Sequence, residues 1–267
     1  MLIVDSHCHL DYDGLAERLP DVLAAADAAG VGLMLTISTR VAHADKLFKI
    51  VKENTNVFCT IGTHPHNAHE ELDVPVSKLV GLSMNLKCVG IGEAGLDYHY
   101  DKSPRAAQEE GFRKHIAVAR ITGLPLIIHS READDDMARI LTEEMAKGPF
   151  KMVLHCFTGG IELARAGLKL GAYVSFSGIL TYKSAENLRV VAAEIPMGHL
   201  LVETDAPYLA PEPHRGKSNE PAFVSETLKQ LADIKGVSVE TMAQTTSDNF
   251  FRLFSKVTRP ARFTAAA

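Results

Sequence analysis

The stretch VDSHCHLD at 4–11 sets two imidazoles, His7 and His9, two positions apart where an apolar run stops. In extended backbone alternate side chains share a face, so both rings point the same way. An H-x-H pair alone arises by chance. What makes it a candidate metal centre is its company: Glu93, His129, His155 and Asp205 each fall at the end of another short apolar run. Four imidazoles and two carboxylates gathered in one place are costly without a compensating cation. The set is larger than a single catalytic ion with an open position requires, and it suits two divalent ions sharing a carboxylate. Mg²⁺ or Mn²⁺ suits turnover, with Zn²⁺ an alternative as the bound ion. Two ions about 3.5–4 Å apart polarise a phosphoryl oxygen and generate hydroxide from water near neutral pH.

Such residues meet only if the chain folds to bring them together. Eight apolar runs rich in Val and Ile read as buried parallel strands: 2–6, 32–38, 57–62, 88–93, 124–130, 151–157, 172–178 and 199–205. Segments of helical period lie between them. In 41–54 the stripe is Ala44, Leu47, Phe48 and Val51; in 132–147 it is Met137, Ile140, Leu141 and Met145, closed by Gly148-Pro149. Ser103 and Pro104 read as N-cap and first residue of a further helix, and 219–235 as another. This alternation predicts an α/β fold, a (β/α)8 TIM barrel with its chemistry at the C-terminal ends of the strands, where the six residues above all fall. An open doubly wound sheet is the runner-up. Residues 1–258 read as one metal-dependent hydrolase barrel and 259–267 as a flexible tail.

Composition narrows the partners. A net charge of −5 is unusual for a protein that holds nucleic acid by neutralising many phosphates; any phosphodiester chemistry needs a local positive site, which bound metal ions and a few basic side chains supply. Cys8, Cys59, Cys88 and Cys156 form no CxxC pair, as expected of reduced thiols in a cytoplasmic protein. No run approaches the roughly 18 apolar residues of a membrane span, and MLIVDSHCHL lacks a basic n-region and a cleavage site, so neither a membrane anchor nor a signal peptide is expected. No obligate protein partner is inferred.

The motifs DSHCHLD, GTHPH (62–66), GEAGLDYHY (92–100), PLIIHSREA (125–133), HCFTG (155–159) and ETDAPYLAPEPHRGKSNEP (203–221) resemble the TatD-type metal-dependent deoxyribonucleases of the amidohydrolase superfamily. The resemblance runs from residue 5 to about NFFRLF at 249–254, and 203–221 is its most specific part. It implies a 3′→5′ exonuclease acting on the 3′ end of single-stranded DNA and, in some members, RNA. It also implies that His7, His9, Glu93 and Asp205 hold one metal, with Glu93 bridging to a second that His129 and His155 complete. Many relatives in the wider superfamily bridge with a carbamylated lysine; Glu93 in that place points to the TatD branch. Ala94 and His99 stand where family members often carry other residues, and neither is an expected ligand.

Further roles are suggested by position. Asp205, after the eighth run, suits a general base, and Glu203 two residues earlier suits orientation of a ligand. His64 is a candidate for gripping a phosphate or leaving oxygen; His66 shares its polar loop. Arg131, Arg215 and Lys217, on loops after the fifth and eighth runs, are candidates for the DNA backbone, and Tyr208 for stacking on a base. His115 falls on an apolar helical stripe and reads as a core residue, and Cys8 points away from its neighbouring imidazoles. GIGEAG at 90–95 matches a dinucleotide fingerprint, but no helix opens after it and Glu93 would repel a pyrophosphate. Two alternatives remain open: a small-molecule amide, lactone or ester hydrolase on the same binuclear barrel, and a non-catalytic binding protein on that scaffold.

Overall fold

A strand overlaps each of the eight apolar runs: β1 (Ile3–Cys8), β2 (Val31–Thr36), β3 (Val57–Ile61), β4 (Cys88–Asp97), β5 (Leu126–Arg131), β6 (Met152–Leu154), β7 (Tyr173–Phe176) and β8 (Leu200–Val202). The computed structural model describes residues 2–263. Between and after the strands lie α1 (Leu19–Ala28), α2 (Ala44–Glu53), α3 (Val76–Ser83), α4 (Arg105–Thr122), α5 (Asp134–Lys147), α6 (Ile161–Lys169), α7 (Glu186–Glu194), α8 (Val224–Lys235) and α9 (Val239–Leu253). The strands are parallel neighbours in sequence order. The ring comes round to its start through a Cys8–Ala206 bridge and the Asp205 N–H donating to the His7 carbonyl at 2.9 Å. This is the (β/α)8 barrel.

Strand alternation divides the core into two layers. Outward residues such as Met34, Cys59, Leu126, Leu154 and Phe176 pack beneath the helices. Inward residues Val4, Leu33, Leu35, Val89, Ile127, Val153 and Leu201 form a separate cluster, plugged at the N-terminal mouth by Phe250 of α9 and by Phe254, which follows it. Moving up the inner face by steps of two leads from this apolar floor to a polar rim: Ile127 to His129, Val153 to His155, Leu201 to Glu203 and Asp205. The periodicity that buries the floor thus aims the chemistry into the mouth.

The structure departs from sequence expectation in places. Strand β4 does not stop at Glu93 but runs to Asp97 through the glycine-rich segment. Those glycines serve close strand packing: a Cβ on Gly95, at φ +153°, would lie 1.9 Å from the His129 carbonyl oxygen. Ser103 is not a helix cap. Helix α4 starts at Arg105 with Pro104 before it, and the Ser103 hydroxyl donates to the His66 carbonyl at 2.9 Å. Of the tail, residues 259–263 lie on the barrel: Phe263 is buried, edge-on to Phe251 at 5.2 Å, and Arg259 pairs with Asp248. Residues 264–267 lie outside the described residues. No helix among the described residues is long and apolar enough to cross a membrane.

Candidate metal centre and its cleft

Six metal-capable residues expected on one rim meet there, and Glu93 stands at their centre. Its Oε1 lies 2.9 Å from His129 Nδ1, 2.9 Å from His155 Nε2 and 3.3 Å from His64 Nε2. Its Oε2 faces the other way, 3.4 Å from His7 Nε2 and 3.9 Å from His9 Nε2. Asp205 Oδ1 closes that second half, 3.5 Å from His7 Nε2 and 3.4 Å from His9 Nε2. The His7 and His155 rings stack at 3.9 Å, joining the halves. Three groups of donor atoms are compact enough to hold a cation: His7–Glu93–His155, His7–His9–Asp205 and His64–Glu93–His129.

The donors suit a divalent ion. Glu93 Oε2 and His7 Nδ1 are buried and have no hydrogen-bond partner among the described residues, an expensive arrangement for a carboxylate oxygen unless a cation satisfies it. Although burial works to raise it, the pKa of Glu93 is held well below the usual carboxylate range by His155 and His64. Asp205 is likewise lowered: burial, the largest single influence, works to raise it, but the bond to His9 and the charges of His7, His9 and His155 together prevail. Burial keeps His7 below its ordinary value and pushes His64 down to about 4. His155, His129 and His9 are instead shifted upward by their carboxylate neighbours despite burial, so a cation binding here would displace the protons those rings hold.

The imidazoles are held from behind. Glu203, fully buried, places Oε1 3.2 Å from His155 Nδ1, as its spacing from Asp205 suggested. Asp97 does the same for His129, with Oδ2 3.0 Å from Nε2, and also lies 2.9 Å from His66 Nε2. The Nε2 contact with Asp97 fixes the His129 ring and leaves Nδ1, on the Glu93 side, as the atom that would ligate an ion. Asp97 is hidden in the sequence because the apolar run of strand four ends at Glu93; carried four residues further, the alternation places Asp97 on the same face. His64, expected to grip a phosphate or leaving oxygen, stands with its ring against Glu93. The loop after β8 is pinned by Asn219, whose amide donates to the carbonyls of Thr204 at 2.8 Å and Tyr208 at 2.6 Å. Asp205 itself turns sharply there, at φ 57°.

The centre opens into a cleft of about 1700 Å³. Tyr208, 53% exposed, stands edge-on to His9 at 6.5 Å, and Arg131 also lines the cleft. The Arg215 guanidinium lies 4.3 Å from the centre of the Tyr182 ring, which lines the cleft; neither Arg215 nor Lys217 is itself among the lining residues. His115 is a buried core residue: its Nε2 accepts the Thr63 N–H at 3.0 Å. Cys8 faces outward, toward the Leu35 carbonyl.

Comparison with known proteins agrees with this geometry. The family model "TatD related DNase" matches residues 4–255. The chain is 45% identical to the uncharacterized metal-dependent hydrolase YcfH of Escherichia coli (strain K12) over 257 residues, 95% of this chain and 96% of that one. It is 34% identical to the 3′-5′ ssDNA/RNA exonuclease TatD of Cronobacter sakazakii over 247 residues, covering 90% of this chain and 93% of that one. Among solved structures, the TatD homologue YJJV of Escherichia coli K12 superposes with a TM-score of 0.88 at 27% identity, covering 95% and 98% of the two chains. The chain belongs to the TatD related DNase family and is an enzyme of its metal-dependent hydrolase class.

Proposed function

We propose that this enzyme is a divalent-metal-dependent phosphodiesterase that removes nucleotides from the 3′ end of single-stranded DNA, and of RNA as a second substrate. The observation that carries the reading is Glu93, a buried carboxylate with one oxygen turned to each of two imidazole groups at the mouth of a wide cleft. In this reading His7, His9, Glu93 and Asp205 hold one cation, and Glu93, His129 and His155 hold a second. When bound, the pair supplies Lewis-acid activation of the phosphoryl oxygen and of water.

The chain's own side chains do the rest. Asp205 Oδ1 is engaged with His7 and His9, and its carboxylate, at the mouth of the cleft, can take the proton of the attacking water. Glu203 and Asp97 fix the rings of His155 and His129. Arg131, Arg215 and Tyr208, with Lys217 on the loop beyond, offer cations and a stacking face to a strand passing over the mouth. A cleft of about 1700 Å³ exceeds the 300–1,000 Å³ of ordinary small-molecule pockets, which favours a polymer over a small amide, lactone or ester. Four free cysteines agree with a cytoplasmic setting.

The test is an end-labelled single-stranded oligonucleotide incubated with Mg²⁺ or Mn²⁺. Stepwise shortening from the 3′ end is expected, abolished by EDTA and reduced at least about 10³-fold in Asp205→Asn. Absence of shortening with every metal tried rejects the proposal.

A further inference from the structure

One corner of the cleft holds two cations that no described carboxylate pairs with directly. Tyr100, 53% exposed, stands on the loop after β4 with its amide donating to Asp97 Oδ1 at 2.8 Å. The Arg131 guanidinium lies 5.0 Å from the centre of its ring and the Lys102 ammonium 5.5 Å. All three residues line the cleft. Neither cation has a carboxylate partner among the described residues, whereas every other described arginine except Arg215 and Arg252 forms an ion pair. Most of the nearby acids are engaged elsewhere: Asp101 with Arg105, Glu132 with His99, Asp134 with the Gly160 N–H, and Asp136 with Tyr98 and Arg139, while Asp135 lines the same cleft without pairing with either cation. An aromatic face restrains a cation without cancelling its charge. In a protein of net charge −5, two such cations beside the catalytic cluster are placed for an anion.

The corner is next to the metal-capable centre but separate from it. Tyr100 packs edge-on to His66 at 5.3 Å, His66 reaches Asp97 at 2.9 Å, Asp97 reaches His129 at 3.0 Å, and His129 reaches Glu93 at 2.9 Å. A phosphate held at Tyr100 is therefore not the one beside Glu93. We propose that Tyr100, Lys102 and Arg131 form a subsite for a second phosphodiester of the single-stranded substrate, neighbouring the one cleaved, so that the enzyme recognises a chain in preference to an isolated ester. This rests on the phosphodiesterase reading above. The Arg131 fork suits two phosphate oxygens, and Lys102 adds a mobile point charge.

The experiment compares the wild type with Arg131→Ala, Lys102→Ala and the double variant on two substrates: an oligothymidylate, and bis(p-nitrophenyl) phosphate, which has one phosphodiester only. The ratio of kcat/KM for the oligonucleotide to that for the small ester should fall about tenfold per cation removed. In EDTA, the anisotropy of fluorescein-labelled oligothymidylate should show weaker binding, with the salt slope of log K reduced by about 0.7 per cation. An unchanged ratio with both substrates cleaved overturns this subsite alone, as does an unchanged salt slope. Failure of the wild type to cleave either ester overturns the phosphodiesterase reading, and the subsite with it.

Discussion

Replacing Asp97 by Asn tests how far the residues behind the ligands set the metal affinity. The side chain is fully buried and its Oδ2 serves His129 at 3.0 Å and His66 at 2.9 Å. Asn keeps the shape, and its amide oxygen still accepts a bond from the Tyr100 N–H or an imidazole; what it loses is the charge. A hydrogen bond to an ionised group contributes about 1.5–3 kcal/mol against about 0.5–1.5 for a neutral one. The bond to His129 therefore weakens by about 1–2 kcal/mol, and His129 also loses the carboxylate that orients it. Metal affinity should fall about 10–100-fold, as for other carboxylate–histidine pairs. Calorimetric titration of EDTA-stripped protein with Mn²⁺ reads this directly, and a thermal melt of the metal-free variant reports whether the fold is intact. A folded Asp97→Asn variant with undiminished affinity for every ion refutes the claim that Asp97 works through His129.

Two other predictions concern the barrel. Burial holds His115 down to about 4, against an ordinary value near 6.5. Between those limits the unfolded chain binds the proton and the native chain does not, so stability present above pH 6.5 is lost as pH falls toward 4, by about 3 kcal/mol in all. His115→Gln, which still accepts the Thr63 N–H, should flatten that part of a urea-melt pH profile; an unaltered profile counts against it. Phe263→Ala should cost about 3 kcal/mol, because the ring packs on Phe251 and Gly32 beneath the barrel. A denaturation midpoint equal to the wild type's would show that the tail's contact contributes nothing.

Much of the barrel and its centre is legible in the sequence, and the reasons are specific. Buried parallel strands need apolar residues on both faces, so the runs around Ile127, Val153 and Leu201 stand out. The ligand candidates end those runs because inward alternation continues past the apolar floor, which is why His129, His155 and Asp205 group together without coordinates. Glycine conceals the upper half of β4: it weakens the strand signal in GIGEAGLD, so the strand reads as ending at Glu93 and Asp97 escapes notice. Ser103 before Pro104 has the form of a helix cap, but its hydroxyl is taken by the His66 carbonyl and the His69 ring, a tertiary bond that no local pattern reveals. His64 lies in a loop whose path depends on such contacts, so its approach to Glu93 is not readable from spacing.

Glu93 is the hinge of the proposed mechanism, since one oxygen faces each half of the centre. Mn²⁺ binding followed by equilibrium dialysis and electron paramagnetic resonance addresses this most directly. Two ions per chain with an exchange-coupled signal are expected for the wild type, and loss of the coupling together with at least one ion for Glu93→Gln. A single ion in the wild type, or a coupled pair that survives in Glu93→Gln, would contradict the shared-carboxylate centre.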